Sequence, residues 1–132
     1  MEIANLGPAA VDLSTWSICT QIQYRQFPPS ARIQPYGTFL IYINRSGTPA
    51  DTVSTWYTGP YVTLTSAGSF GLYHSVGGYT TPYNMEDFVQ WGTDSQHLEN
   101  VAIAANIWAS GNALTNPPEG SVLGYSGSRS LP

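Results

Sequence analysis

The sequence predicts an all-β fold, a sandwich or a barrel, with one short helix near its C-terminal end. Short runs rich in β-branched and aromatic residues recur along the chain, separated by Gly- and Pro-containing turns. Only one segment spaces its apolar residues by three and four, as a helix does. With 132 residues, 42% hydrophobic and 9% charged, the chain suffices for one core and leaves no room for a second domain.

The first half of the chain predicts four strands, each of which ends at a turn or a proline. Thr38 to Ile43 is apolar on both faces, which favours a central strand covered from both sides. The Pro35-Tyr36-Gly37 turn precedes it, with proline at the position where φ is fixed. The predicted strands are Glu2 to Leu6, Val11 to Ile18, Gln21 to Phe27 and Thr38 to Ile43.

The second half predicts further short strands and the helix. From Leu98 to Trp108 the apolar residues recur at helical spacing, with Asp94 or Ser95 as the N-cap and Gly111 placed to stop the helix. Residues 1–125 are therefore expected to form the domain and residues 126–132 a flexible tail. The predicted strands are Val53 to Tyr57, Tyr61 to Leu64, Phe70 to His74, Met85 to Gly92 and Val122 to Tyr125.

The order of several short motifs resembles the lamin tail domain, an immunoglobulin-like β-sandwich. The motifs are Asn5 in the first strand, Asp12-Leu13-Ser14-x-Trp16, Phe27-Pro28-Pro29, Pro35-x-Gly37, and the later "VQWG" and "ENVAIAANIWASGNAL" of the bacterial branch. The resemblance covers roughly residues 2 to 125. It implies that Trp16 and Phe27 are buried between two sheets and that the module binds or targets without catalysis.

Charge limits the classes of partner. The chain has four arginines, no lysine and a net charge of -4. Because nucleic-acid affinity comes mainly from Lys and Arg on phosphates, we expect no nucleic-acid partner, and the nuclear roles of lamins do not carry over. The longest apolar run, Phe39 to Ile43, is too short to span a bilayer, so no membrane insertion is expected.

Several residue combinations resemble parts of enzyme active sites, but each also has an ordinary structural explanation. Cys19 with His74 or His97 could form a nucleophile and base, but a lone cysteine in an apolar strand usually behaves as a small hydrophobe. His97-x-Glu99 echoes zinc deaminases without their later cysteines, and Asp94 with His97 supplies only two metal ligands. Glu86 and Asp87 are adjacent and suggest no carboxylate dyad. We therefore expect no enzyme, no metal and no cofactor.

Aromatic residues in or near the predicted loops are the candidate ligand contacts. In a β-sandwich such rings can stack on sugars or bind a protein, and most aromatics instead serve packing. The expected function is a binding or targeting module, in adhesion or protein–protein interaction, of a secreted or cell-surface bacterial protein, as a monomer or weak homodimer. The alternative is a carbohydrate-binding module, with polysaccharide as the partner. The candidates are Trp56, Tyr57, Tyr61, Tyr79 and Tyr83.

Overall fold

The computed structural model describes residues 1–21, 23–45 and 53–115. This part of the chain is all-β with one short helix, which confirms the predicted fold class. The packing of its sheets is consistent with a sandwich, while the immunoglobulin-like topology stays a prediction. The predicted strand Val122 to Tyr125 and the tail 126–132 lie outside the described residues.

The described strands form two sheets and a two-stranded ribbon. A three-stranded sheet has the order β1-β6-β7, a four-stranded sheet has the order β4-β3-β8-β9, and β2 pairs with β5. All pairings are antiparallel except that of β6 with β7. The elements are β1 Glu2–Ala4, β2 Val11–Asp12, β3 Ser17–Thr20, β4 Gln23–Gln26, β5 Arg32–Ile33, β6 Thr38–Tyr42, β7 Thr55–Tyr57, β8 Gly68–Tyr73, β9 Met85–Trp91 and the helix α1 Glu99–Ala104.

The four-stranded sheet is covered on both faces. One face shares a core with the three-stranded sheet, where Ile18 and Leu72 pack with Phe39 and Ile41. The other face packs against α1 and the segment that follows it. The buried residues of this second cluster come from all three and are Cys19, Tyr73, Met85, Phe88, Val101, Ala102 and Trp108. The described part of the chain therefore has two hydrophobic clusters, with the four-stranded sheet between them.

Among the described strands, β3 and β8 are the ones covered on both sides, and not β6 as the sequence predicts. Every residue of β8 is buried, because the other sheet lies over one face and the helix over the other. Strand β6 alternates instead: Phe39 and Ile41 are buried, while Leu40 and Tyr42 are each 38% exposed. Its outer face is thus a surface of the molecule despite its apolar composition.

The helix is shorter than predicted, and its ends are set differently. Neither Asp94 nor Ser95 caps it, since the residue before the first turn is Leu98 in a left-handed conformation. At the other end Asn106 takes φ 58°, and the Ile107 N–H donates to the Ala102 carbonyl, which is a Schellman ending. Asn106 therefore ends the helix five residues before Gly111.

Other predictions also differ from the structure, among them the strand Val11 to Ile18, which is divided between β2 and β3. The predicted strand Tyr61 to Leu64 is wrong: Gly59–Tyr61 is a 3₁₀ turn with Pro60 in it, and the next residues belong to no strand. Phe27 is 2% exposed and packs against Phe39 and Trp56, as expected. Trp16 is only partly buried. Among the helices of the described ranges, none has the length and apolar character that crossing a membrane requires.

Candidate functional site

An open groove lies between the 3₁₀ turn Pro82–Asn84 and the C-terminal end of α1. Its volume is about 400 Å³. The turn precedes β9 directly, and α1 packs against both of them. The groove therefore lies where a 3₁₀ turn, a strand and the end of a helix meet. It is lined by His74, Pro82, Tyr83, Glu86, Ala104 and Ala105.

Tyr83 is the large exposed side chain of this groove. It is 83% exposed, so nearly the whole ring faces solvent. Its ring meets the His74 imidazole edge-on at 5.3 Å, and Trp16 meets that imidazole from another direction at 6.1 Å. The His74 ring is thus in contact with the partly buried Trp16 as well as with the exposed Tyr83.

The loop that carries Tyr83 is held in place by its own hydrogen bonds. The His74 N–H donates to the Asn84 carbonyl at 3.1 Å, which joins the end of the loop to the end of β8. The Asn84 side chain donates to the Gly78 carbonyl at 3.2 Å. Gly78 takes φ 64°, and a Cβ there would lie 2.6 Å from Asn84 Nδ2. The ring is therefore presented by a loop that is already ordered, which lowers the entropy cost of binding.

His74 and Glu86 supply the polar groups of the groove. His74 Nδ1 lies 3.6 Å from Glu86 Oε2, and their side chains are 30% and 40% exposed. The two meet because the pairing of β8 with β9 shifts register between Leu72 and Tyr73. A carboxylate and an imidazole side by side can accept and donate hydrogen bonds to a ligand.

Trp56, a candidate ligand contact, is instead a core residue. It is 7% exposed and packs at 5.1 Å from the Phe27 ring, so little of its surface can reach a ligand. Tyr57 follows it on β7 and is half-buried. The Tyr57 ring stacks on Tyr42 at 4.6 Å with the planes 8° apart. These two residues therefore lie on the three-stranded sheet, whereas Tyr83 lies in the turn before β9.

Tyr61 and Tyr79 do not line the groove either. Tyr61 is 61% exposed, and the Arg25 guanidinium lies 4.6 Å above its ring. Tyr79 is half-buried and stacks on Tyr24 at 4.0 Å. Of the five candidate aromatics, Tyr83 alone is part of the groove.

Cys19 is not a reactive thiol in this structure. It is 2% exposed, and its Sγ donates to the Gln21 carbonyl at 3.1 Å. Burial raises the pKa of the thiol to about 12, so it stays protonated near neutral pH. His97 is engaged by Tyr24, the cross-strand neighbour of Cys19, whose hydroxyl is 2.8 Å from His97 Nε2.

Glu99, the possible proton shuttle, and Asp94, the possible metal ligand, form no metal site with the other residues that the structure describes. Glu99 is 7% exposed and accepts a hydrogen bond from Gln90 Nε2 at 2.9 Å. Asp94 is exposed on a loop. Within residues 1–21, 23–45 and 53–115, no three His, Cys, Asp or Glu side chains are grouped so that they could hold a metal ion.

The sequence draws attention to His74, Tyr83 and Glu86 for unrelated reasons and gives no signal that they meet. The contact depends on a register shift and on the position of a helix end, both of which are tertiary features. Comparisons of this chain with protein-family models, with curated proteins and with solved structures found no match.

Proposed function

We propose that this chain is a non-catalytic binding module, in a protein of the cell surface or the extracellular space, and that it engages its partner through the groove at Tyr83. The observation that carries the proposal is the 83% exposed Tyr83 ring on an ordered loop beside an open groove. An aromatic ring costs little conformational entropy when it is immobilised, and it offers a large contact area.

The chemistry of the groove favours binding over catalysis. His74 and Glu86 could move a proton, but the other lining residues are proline, alanine and a tyrosine whose ring points to solvent. The one cysteine lies in the second hydrophobic cluster with a protonated thiol. The groove is thus equipped to hold a molecule by contact and hydrogen bonding.

The composition supports the proposed setting. Few charges, no lysine and many Tyr, Thr, Ser and Gly residues are common in extracellular β-domains that bind through aromatic contacts. The resemblance to bacterial lamin tail domains points the same way, since such domains are often appended to secreted or cell-surface proteins. Both considerations support a role in attachment.

Co-sedimentation with bacterial cell envelopes tests this function. The fluorescently labelled chain is mixed with washed envelopes from one Gram-positive and one Gram-negative bacterium, and the bound fraction is measured against envelope concentration. We expect saturable binding to at least one preparation and a loss of about tenfold in affinity for Tyr83→Ala, roughly the worth of one well-placed aromatic contact.

Tyr36→Ala is the matched control. Tyr36 is 73% exposed, lies in the Pro35-Tyr36-Gly37 turn and lines no part of the groove. Its loss should leave binding unchanged. Equal binding by the wild type and Tyr83→Ala, or no saturable binding to either envelope, would contradict the proposed function.

A further inference from the structure

We propose that the ligand of the groove is a neutral carbohydrate, bound with one pyranose ring against Tyr83 and with its hydroxyl groups bonded to His74 and Glu86. This inference rests on the proposed binding function and names the chemical class of the ligand.

The Tyr83 ring matches the apolar side of a sugar. A pyranose presents C–H groups on one face and hydroxyls around its edge, so it lies flat on an aromatic ring. Tyr83 is exposed enough to offer that face, and the ring contact with His74 is edge-on. Its loop is ordered before binding, which suits a ligand that contributes few contacts.

The polar pair matches the edge of a sugar. Glu86 can accept hydrogen bonds from hydroxyl groups, and a histidine ring nitrogen can accept or donate one. Their side chains reach solvent, and the two atoms lie 3.6 Å apart, so both can address neighbouring hydroxyls of one ring. An aromatic face next to convergent polar groups is the usual arrangement of a small-molecule site.

The size of the groove favours a sugar over a protein. A volume of about 400 Å³ falls in the lower part of the range for small-molecule sites, roughly 300 to 1,000 Å³. A stable protein interface buries about 800 Å² on each partner around an apolar centre. Among the lining residues Tyr83 is the one large apolar side chain, beside two alanines and a proline.

The charge of the groove selects neutral sugars. Among the described residues that line the groove, Glu86 is the one acidic side chain and none is an arginine. The Arg25 guanidinium lies over the Tyr61 ring, and neither residue lines the groove. A uronic acid or a sialic acid would bring a second negative charge close to Glu86, which is unfavourable.

Isothermal titration calorimetry with defined oligosaccharides is the first arm of the test. The probes are the hexasaccharides of cellulose, chitin, xylan and mannan, with hexagalacturonate as the acidic counterpart. We expect one neutral series to bind with a Kd in the micromolar to millimolar range and hexagalacturonate to bind more weakly. Tyr83→Ala should lower affinity by about tenfold, Tyr83→Phe should keep it, and Tyr36→Ala should have no effect.

Chemical treatment of the envelopes is the second arm. Periodate cleaves the vicinal diols of sugars, whereas proteinase K removes protein. Loss of Tyr83-dependent sedimentation after periodate, with retention after proteinase K, supports a carbohydrate ligand even if its sugar is not in the oligosaccharide panel.

The two arms separate the two proposals. Tyr83-dependent binding that survives periodate and is lost after proteinase K would overturn the carbohydrate inference and leave the binding function standing. No binding to envelopes and none to any oligosaccharide would overturn both. Folding of each variant is checked by circular dichroism, so that a lost signal is not mistaken for an unfolded chain.

Discussion

The side-chain amide of Gln90 donates a hydrogen bond to a carboxylate oxygen of Glu99, 2.9 Å away, between β9 and the first turn of α1. Gln90 is fully buried and Glu99 is 7% exposed. The same Gln90 amide also donates to the Asn112 carbonyl, and its oxygen accepts the Gln96 N–H. One buried side chain therefore fastens the helix, the segment before it and the segment after it to the sheet.

We expect Gln90→Leu to lower the free energy of unfolding by about 2 to 4 kcal/mol. The substitution keeps the volume but leaves the buried Glu99 carboxylate and the partly buried Gln96 N–H without this partner, and such groups are costly. Urea denaturation followed by tryptophan fluorescence measures the loss.

The double variant Gln90→Leu with Glu99→Leu is the matched control. Removing both partners also removes the stranded carboxylate, so part of the lost stability should return. A Gln90→Leu variant within about 0.5 kcal/mol of the wild type would show that the network contributes little.

Gly71 makes room for Tyr73, two residues further along the same strand. A Cβ at Gly71 would lie 2.9 Å from Tyr73 Cε2 and 3.2 Å from its hydroxyl oxygen. Tyr73 is fully buried, so its ring has little freedom to move. We expect Gly71→Ala to destabilise the protein by about 1 to 3 kcal/mol through overpacking, measured by urea denaturation.

The same substitution in a Tyr73→Leu background tests that cause. Leucine has no ring over Gly71, so there Gly71→Ala should cost much less than in the wild type. Equal costs in the two backgrounds would mean that the contact with the Tyr73 ring is not the reason.

Cys19 should resist alkylation while the protein is folded. Its thiol is buried and has a pKa of about 12, whereas iodoacetamide reacts with an exposed thiolate. At pH 8 we expect alkylation at least about a hundredfold slower in buffer than in 8 M urea, because reaction requires opening of the fold. Mass spectrometry of timed samples gives both rates, and comparable rates would contradict the buried position.

The same burial makes stability depend on alkaline pH. The folded thiol has a raised pKa, so its contribution to stability is fully present below the ordinary value of 9 and is lost as the pH rises towards 12. Tyr24, whose pKa burial also raises to about 12, acts in the same direction. Stability should therefore fall from pH 9 upwards, and less steeply in Cys19→Val. An identical slope in that variant would exclude the thiol as a cause.

The sequence predicts the strands well and the layers poorly. β-branched and aromatic runs between turns identify most strands because these features are local. Which strands are covered on both faces does not depend on local sequence: β6 is apolar after Thr38 yet has an outer surface, whereas β8 contains two glycines and a serine and is wholly buried, as is β3. The difference is set by the helix that packs against the four-stranded sheet.

The candidate site shows the same limit. The sequence identifies Tyr83 as one of five aromatics, but it cannot distinguish Tyr83 from Trp56, because exposure depends on what packs against each ring. Trp56 packs on Phe27 in the core, while Tyr83 meets only the edge of His74 in the contacts described. Likewise Asn106 ends the helix by taking a left-handed conformation, a role that the sequence analysis assigns to Gly111.

His97 should make the protein less stable in mild acid. Burial lowers the pKa of its imidazole, so the folded chain takes up a proton less readily than the unfolded chain does. Its contribution to stability is then present above the ordinary pKa of about 6.5 and is lost as the pH falls through that range. We expect the free energy of unfolding to fall between pH 7 and pH 5.5 by less than about 1 kcal/mol, since the ring is partly exposed. Urea denaturation at several pH values should show a flatter dependence of stability on pH in His97→Gln.

Tyr24→Phe is the matched control. It removes the hydroxyl 2.8 Å from His97 Nε2 but keeps the aromatic ring that contacts His97, so the acid dependence should persist if burial is the cause. A dependence that vanishes in Tyr24→Phe would assign it to the hydrogen bond, and one unchanged in His97→Gln would assign it to another group.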